Sequence, residues 1–290
     1  MKRFWCFFFL FWPAVAVAAC WIAPQMGWWF PYGRGAATPL GSRIDDLFHM
    51  ILWITSITFV AVHIALGYVL FRGARETDER ALYTHGSHNL EVIWTIVPSG
   101  ILLFIALYQM DVWAEYRIQS SFPTTAQGEP ILNEPIAEVT ARQFEWRIRY
   151  PAPGRKFADR ADVQRWLREP EPGDLHAVND LRVPAGRNVL IYLRTQDVQH
   201  SFFVPELRVK QDAVPGQVIP VWFNVVNRTY DRELGGVAYE WVCAELCGWG
   251  HYKMGARLVA GNQQDFDAYL QRLAAEQSDD GYREEVTSDE

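Results

Sequence analysis

Cysteine is scarce in this chain, with 4 residues in 290, and no Cys-x-x-Cys-His sequence occurs. The sequence therefore lacks the attachment motif of a c-type haem. No internal repeat is evident. The few cysteines are nevertheless placed unevenly, because Cys243 and Cys247 lie four residues apart in the stretch CAELCGWGHYKM. What two such thiols do depends on their compartment and on the other thiols available.

Basic residues are in the minority, and the formal net charge is −7. From Asp111 onward the chain has 20 Lys and Arg residues against 28 Asp and Glu residues, a difference of −8. Such a surface repels nucleic acid, so we expect no nucleic-acid partner, and it favours a basic protein partner. The alternative is that the acidic surface only keeps the domain soluble.

The N-terminus has the pattern of a secretory signal peptide over residues 1–19. A short basic start, MKR, precedes an apolar run, and small residues lead up to Cys20. The stretch VAAC also resembles a bacterial lipobox, in which the cysteine becomes the lipid-modified first residue, here Cys20. The alternative is an uncleaved or alanine-cleaved segment. In both cases only Cys243 and Cys247 are left as free thiols of the folded domain.

Two further apolar stretches predict a transmembrane hairpin over residues 48–110, preceded by an exported segment over residues 20–47. Residues 48–71 contain no Asp, Glu, Lys or Arg, and residues 92–110 form the second stretch. Each is long enough to cross a hydrocarbon core of about 30 Å as a helix. Arg72, Arg75 and Arg80 lie between them, which by the positive-inside rule places that connection in the cytoplasm. The part after residue 110 is then on the export side.

Glu91 precedes the second apolar stretch, at the predicted cytoplasmic mouth of the membrane. One interpretation is an interfacial carboxylate that the helix macrodipole favours near a helix N-terminus. The other is a proton-accepting group at the start of a proton pathway, because ionisable residues near membrane spans are commonly functional. The residues alone leave both open.

Downstream of Met110 the sequence changes to short runs in which apolar and polar residues alternate, bounded by turn residues. They cover residues 137–150, 188–196, 218–226 and 255–261 and predict strands. We therefore expect a β-sandwich or Greek-key barrel over residues 111–275, which makes the fold an α+β membrane protein. Residues 155–180 predict an inserted loop with about one helical turn. We expect a helix capped by Asn262 to follow, with Phe266, Leu270 and Leu273 on one face. An acidic tail is predicted over residues 276–290.

The cysteine pair is more typical of metal binding than of a disulfide, because the loop is short and contains glycines and His251. A structural zinc site is the main alternative, since two Cys and one His need one further ligand. Met254 favours copper, because a thioether is a soft ligand. Two thiolates can bridge two metal ions, which would require a second histidine, and His200 is the candidate.

Three stretches, LEVIWTIVP, DVQHSFFVPELRVKQDAVPG and CAELCGWGHYKM, together with the hairpin and the exported β domain, resemble cytochrome c oxidase subunit II of the bacterial haem-copper oxidases. The resemblance covers about residues 40 to 275. It implies a cupredoxin-like Greek-key barrel, in a bacterial inner membrane, with the C-terminal domain on the periplasmic side. The implied function is to accept electrons from cytochrome c and pass them to haem in subunit I, where oxygen is reduced to water and protons are translocated.

The same resemblance implies a role for each matching residue. Cys243 and Cys247 would bridge the two copper ions of the binuclear CuA centre. The remaining implied copper ligands are His200, His251, Met254 and the backbone carbonyl of Glu245. The Glu245 side chain would bind magnesium at the boundary with subunit I, and Glu91 would lie at the mouth of a proton pathway. The chain would be active only in complex with subunit I and the other oxidase subunits.

One position departs from the family pattern. Where the family has the aromatic sequence QWYW, whose first tryptophan takes the electron from cytochrome c, this chain has QFEW at residues 143–146. Trp146 matches the second tryptophan, and it is the candidate for receiving the electron. A buried core role for Trp146 is the alternative.

Other function classes are possible. A quinol-oxidase subunit would keep the hairpin and barrel but lack the copper ligands. A copper-containing subunit of another respiratory reductase, or a copper-binding assembly protein, would share the ligands, but the hairpin, Glu91 and the strand set argue against both. Because the chain has no c-type haem motif, we expect a separate cytochrome c as the electron donor.

Overall fold

A computed structural model describes residues 2–28, 35–73, 83, 85–125, 127–226 and 237–279. The chain divides into two compact units. The helical unit comprises residues 1–34 and 44–113, and the β unit comprises residues 35–43 and 114–290. Each unit is described by itself below.

The described helical unit contains three long apolar helices: α1 (Lys2–Ile22), α2 (Pro39–Gly73) and α3 (His88–Tyr108). A short helix, α4 (Met110–Arg117), follows. The residues of α2 and α4 are divided between the helical unit and the β unit. In the described part of the chain, the first three are long and apolar enough to cross a membrane. The predicted spans lie inside α2 and α3, apart from the last two residues of the second, where α3 ends and α4 begins. Of the predicted cytoplasmic arginines, Arg75 and Arg80 lie outside the described residues.

The first sheet of the β unit has five strands in the order β3-β2-β1-β5-β8. The strands are β1 (Ala137–Arg142), β2 (Glu145–Tyr150), β3 (Leu175–Val178), β5 (Asn188–Thr195) and β8 (Ile219–Asn224). The predicted strand over residues 137–150 is thus two strands, because the chain reverses between Arg142 and Glu145, which are paired across the turn. β1 also pairs in parallel with β5.

The second sheet has the order β4-β10-β9-β6-β7. Its strands are β4 (Asp180–Pro184), β6 (His200–Val204), β7 (Val209–Ala213), β9 (Val237–Cys243) and β10 (Gly255–Gly261). β10 and β4 are parallel, and the other pairs are antiparallel. The predicted fold class is confirmed: apolar helices are followed by a two-sheet β domain.

Aromatic side chains form the centre of the β core. Trp146, Phe202 and Trp241 are each 0% exposed. The ring of Trp241 lies 4.7 Å from that of Trp146 and 4.6 Å from that of Phe202, centroid to centroid. Each buried aromatic side chain removes about 150–250 Å² from water, so this cluster stabilises the end of the sandwich where β6 and β9 meet.

The inserted segment has more structure than the sequence indicated. Instead of one helical turn it contains α5 (Arg160–Arg168), followed by β3. The helix forms because the Asp159 carboxylate caps it, accepting a hydrogen bond from the Asp162 N–H at 2.8 Å. Its buried face, with Val163, Trp166 and Leu167, has nearly no exposed surface, and that burial outweighs the polar composition that predicted a loop.

A buried arginine lies beneath this insertion, and we call Arg149, Glu138, Asp174 and Trp166 the arginine cluster. Arg149 donates from Nε to Glu138 at 2.7 Å, from Nη1 to Asp174 at 2.8 Å and from Nη2 to the Trp166 carbonyl at 2.8 Å. Its guanidinium carbon also lies 4.2 Å from the Trp166 ring centroid. The charge is therefore paired and hydrogen-bonded throughout, as a buried charge requires.

The last described element is α6 (Gln263–Asp279). The Asp265 N–H donates to the Asn262 side chain at 2.8 Å, which confirms the predicted cap. Phe266, Leu270 and Leu273 all pack against the core, which confirms the predicted apolar face. The first residues of the predicted acidic tail belong to this helix, and residues 280–290 lie outside the described residues.

Candidate metal centre

Two adjacent strands bring His200 and the cysteines together. His200 begins β6, Cys243 ends β9, and the antiparallel pairing aligns Phe202 with Cys243. The loop from Cys243 to Met254 then returns to β10, and the Cys243 N–H donates to the Met254 carbonyl at 3.1 Å. Both ends of the loop are thereby held by the sheet, which fixes where its side chains lie.

The five side chains that the sequence identified converge on one spot, and we call them the donor cluster: His200, Cys243, Cys247, His251 and Met254. The two Sγ atoms are 3.9 Å apart. Cys243 Sγ is 3.9 Å from His200 Nδ1, while Cys247 Sγ is 3.7 Å from both His251 Nδ1 and Met254 Sδ. The Glu245 carbonyl oxygen lies 3.2 Å from Cys243 Sγ. Each cysteine therefore has one imidazole nitrogen of its own beside it.

The cluster is sheltered from solvent but not closed by a disulfide. His200 is 0% exposed, Met254 2%, and both cysteines are buried. Both thiols are free, at a separation far beyond the S–S bond length of about 2.05 Å. The ligand atoms of His200, Cys243 and Cys247 all lie within 4.8 Å of one another, close enough for one ion to contact all three.

The two thiols differ in how readily they lose a proton. Burial alone would raise the pKa of Cys243, but hydrogen bonding with His200 and with the backbone at Glu245 and Ser201 lowers that pKa to about 6. Burial, and then the negative charge on Cys243, raise the pKa of Cys247 to about 12. The first thiolate is thus favoured and a second is opposed, and a cation bound beside both sulfur atoms would favour the second as well.

Asp197 fixes the orientation of His200, and the sequence analysis missed it. Its Oδ1 lies 2.8 Å from His200 Nε2, which leaves Nδ1 facing Cys243. Burial opposes ionisation of Asp197, but hydrogen bonds with His200 and the Gln143 and Val198 N–H groups lower its pKa. A carboxylate on the distal nitrogen fixes the tautomer of a metal-binding histidine. The signal that could have revealed it is an acid three residues before the histidine.

Gln143 was also missed. Its Nε2 donates to the Cys247 carbonyl at 2.5 Å, and its backbone N–H donates to Asp197 at 2.7 Å. The turn between β1 and β2 is therefore joined both to the cysteine loop and to the residue that orients His200. This arrangement limits how far the donor cluster can change shape.

The remaining predicted site residues are not members of the donor cluster. Glu91 is exposed in the first turn of α3, within the helical unit, and Cys20 is exposed near the end of α1. Glu245 contributes its carbonyl to the cluster, and its side chain is half-buried. Trp146 has no exposed surface and its ring lies 6.1 Å from the His200 ring. A donor protein cannot touch Trp146, so the structure favours the core role.

Two family models match the chain. The transmembrane domain of cytochrome c oxidase subunit II matches residues 26–112, and the periplasmic domain of the same subunit matches residues 137–260. The chain belongs to the cytochrome c oxidase subunit II family. The matched regions contain Glu91 and all members of the donor cluster.

Curated relatives agree with this assignment. The alternative cytochrome c oxidase subunit 2 of Bradyrhizobium diazoefficiens is 30% identical over 258 residues, covering 84% of this chain and 83% of the relative. Cytochrome c oxidase subunit 2 of Alkalihalophilus pseudofirmus is 28% identical over 246 residues, covering 83% and 62%. Among solved structures, the periplasmic domain of subunit II of cytochrome oxidase from Bradyrhizobium japonicum matches with a TM-score of 0.38 and 19% identity, over 50% of this chain and 96% of that one.

Proposed function

We propose that the donor cluster holds a binuclear copper centre that receives electrons from cytochrome c. Cys243 and Cys247 would bridge the two ions, and His200 and His251 would bind one ion each. Met254 and the Glu245 carbonyl would complete the set. When bound, the copper pair supplies a site that gains and loses one electron shared between two thiolate-linked ions.

The observation that carries this proposal is the convergence of five soft or imidazole side chains on one buried spot. Zinc in a structural site takes four ligands, usually thiolate and imidazole. Here a fifth side chain, Met254, is buried with its sulfur 3.7 Å from Cys247. A thioether at that position suits copper and adds little for zinc. The residues present therefore fit the copper pair.

The protein's own contribution is to restrain the side chains of the donor cluster. Cys243 and His200 lie at the ends of paired strands, and Asp197 and Gln143 restrain His200 and Cys247 from outside the cluster. A site whose ligands cannot rearrange needs little reorganisation when the charge changes. Burial keeps water away from the sulfur atoms and helps to set the reduction potential.

The electron would leave towards haem in subunit I, where oxygen is reduced to water and protons are translocated. The chain is active in this scheme only as a subunit of the complex, in a bacterial inner membrane, with the β unit on the periplasmic side. Cytochrome c is the proposed donor, because the acidic residues after Asp111 favour a basic protein partner.

The other predicted residues keep their proposed roles. Glu91, in the first turn of α3, would accept protons at a pathway mouth. The Glu245 side chain would bind magnesium at the boundary with subunit I. Residues 1–19 would be a signal peptide and Cys20 the lipid-modified first residue. Residues 48–110 would be the transmembrane hairpin and residues 111–275 the copper domain.

The test is anaerobic mixing of reduced cytochrome c with the copper-loaded oxidase in a stopped-flow instrument. The proposal predicts fast oxidation of the cytochrome together with bleaching of the copper absorbance. The copper-depleted oxidase is the control and should oxidise no cytochrome in this phase. A copper-loaded oxidase that leaves the cytochrome reduced would contradict the proposal.

A further inference from the structure

An exposed tryptophan lies within the cysteine loop itself. Trp249 follows Cys247 by two residues and is 76% exposed. Tyr252, in the same loop, is 82% exposed, whereas Trp146 and Trp241 are 0% exposed. Large aromatic side chains usually lose most of their surface on folding, and exposed ones are enriched where another protein binds.

The Trp249 ring is held in place despite its exposure. Its centroid lies 5.4 Å from that of Phe144 in an edge-to-face contact. On another side, Lys253 Nζ lies 4.5 Å from the ring centroid, within the range of a cation–π interaction. These two contacts restrict the orientations open to the ring at the surface.

The flanking glycines make the contact with Phe144 possible. A Cβ at Gly250 would lie 2.5 Å from Phe144 ring carbons, and one at Gly248 would lie 2.8 Å from Gln143 Nε2. Gly248 also has a φ of +134°, a conformation that other residues rarely adopt. The loop thus needs glycine on both sides of Trp249 for the Phe144 ring to lie against it.

Two short connections join this aromatic pair to Cys247. One is the chain itself, through Gly248. The other runs from Phe144 to its neighbour Gln143, whose Nε2 donates to the Cys247 carbonyl at 2.5 Å. Electron transfer falls steeply with distance, and a bonded connection carries it better than a gap through solvent. Trp249 is therefore an exposed π system with two connections to a proposed copper ligand. Tyr252, also exposed, is joined to the proposed ligand His251 along the chain.

We propose that Trp249 is the residue through which the electron enters this chain from the donor protein, in place of the tryptophan that QFEW lacks. The inference rests on the proposed function. In the step, one electron passes from the reduced donor to the oxidised centre, and no bond forms or breaks. The fitting donor is a basic protein, since the residues from Asp111 onward carry a net charge of −8.

The test uses the assembled oxidase with Trp249→Leu and Trp249→Gln. The readout is the first-order rate of copper reduction after a laser flash reduces bound cytochrome c. Both variants should slow this rate about ten-fold to a hundred-fold, because small displacements of reacting groups reduce rates by factors of that order. The copper paramagnetic resonance spectrum and the rate of reduction by a small ruthenium hexaammine should stay unchanged. Trp249→Phe should recover most of the rate.

Tyr252→Leu is the matched control, because Tyr252 lies in the same loop and is 82% exposed. In this variant the rate of copper reduction should change less than about two-fold, because most residues around the few that dominate a protein interface contribute little to binding. The inference is overturned if both Trp249 variants keep the wild-type rate, or if Tyr252→Leu slows it equally. A wild-type oxidase without the two-copper spectrum would instead overturn the proposed function.

Discussion

The β unit contains two buried polar clusters that are built in opposite ways. In the arginine cluster, the Arg149 guanidinium is bonded at 2.6 to 2.8 Å to two carboxylates and a carbonyl. In the donor cluster, the sulfur and nitrogen atoms lie 3.7 to 3.9 Å from one another. The first cluster is closed by short hydrogen bonds between charged groups, whereas the members of the second touch one another only through longer contacts of sulfur.

This difference distinguishes a self-contained structural cluster from a candidate binding site. Buried polar groups in proteins are nearly always hydrogen-bonded, because an unpaired one costs about 1–3 kcal/mol. The contacts between members of the donor cluster are the longer and weaker hydrogen bonds of sulfur, and sulfur and imidazole are soft metal ligands. Burial alone is therefore a poor sign of function, whereas the residue types and spacing of a buried cluster are a better one.

Removing a thiol from the donor cluster should have the largest effect. In Cys243→Ser or Cys247→Ser, we expect loss of the electron-sharing copper signal and a fall in cytochrome c oxidation of about 100-fold or more, since even residues beyond the ligands cost 10–100-fold in affinity. Copper content and oxidase activity measure this. Cys20→Ser, outside the cluster, is the control. Retained activity in either variant would mean that the thiols are not both ligands.

Opening the arginine cluster should affect stability and leave copper binding intact. Arg149→Met removes the ion-pair partner of buried Asp174 and one of the two arginines paired with buried Glu138, which should cost about 3–5 kcal/mol. Denaturant unfolding of the full chain in detergent measures it. Arg165→Met is the control, because Arg165 pairs with Asp162 through a side chain that is 70% exposed, and such pairs contribute about 0.5 kcal/mol or less. Equal effects of the two substitutions would contradict the distinction drawn here.

Met254→Leu sharpens the comparison within the donor cluster. Leucine has nearly the same volume, so the buried site should lose less than about 1.5 kcal/mol of stability. Both copper ions should remain bound, and the reduction potential should shift because the soft thioether donor is gone. Potentiometric titration of the copper absorbance measures the shift. Loss of one copper ion would show instead that Met254 is needed for assembly.

Acid should weaken the insertion. The Arg155 guanidinium, followed by the Ala158 N–H, lowers the pKa of Asp162 well below its usual range. A group with a lowered folded pKa stabilises the fold fully above the unfolded pKa of about 3.9 and loses that contribution as pH falls further. The stability difference between wild type and Asp162→Asn should therefore narrow below about pH 4. A difference constant from pH 6 to pH 3 would exclude this linkage.

Much of the site could be predicted because its chemistry is local in sequence. Cys243, Cys247, His251 and Met254 lie within twelve residues, and their residue types alone indicate copper. His200 could be identified only through its setting, since its approach to Cys243 depends on the pairing of β6 with β9. The roles of Asp197 and Gln143 could not be predicted, because each depends on a side-chain contact across a turn.

The fold shows the same limit. Alternating runs predicted β5, β8 and β10, but the parallel pairing of β1 with β5 joins strands about fifty residues apart, which local pattern does not specify. The polar composition of the insertion concealed α5, whose stability comes from burying Trp166 against Arg149. Trp146 was ambiguous because an aromatic residue in a strand can face the core or solvent, and only the pairing register decides which.

Copper counting combined with electron paramagnetic resonance on the oxidised, copper-loaded protein tests the central claim most directly. Two coppers per chain that share a single unpaired electron are predicted, because both thiolates would bridge the ions. One copper, one zinc, or two coppers with separate spins would contradict the account.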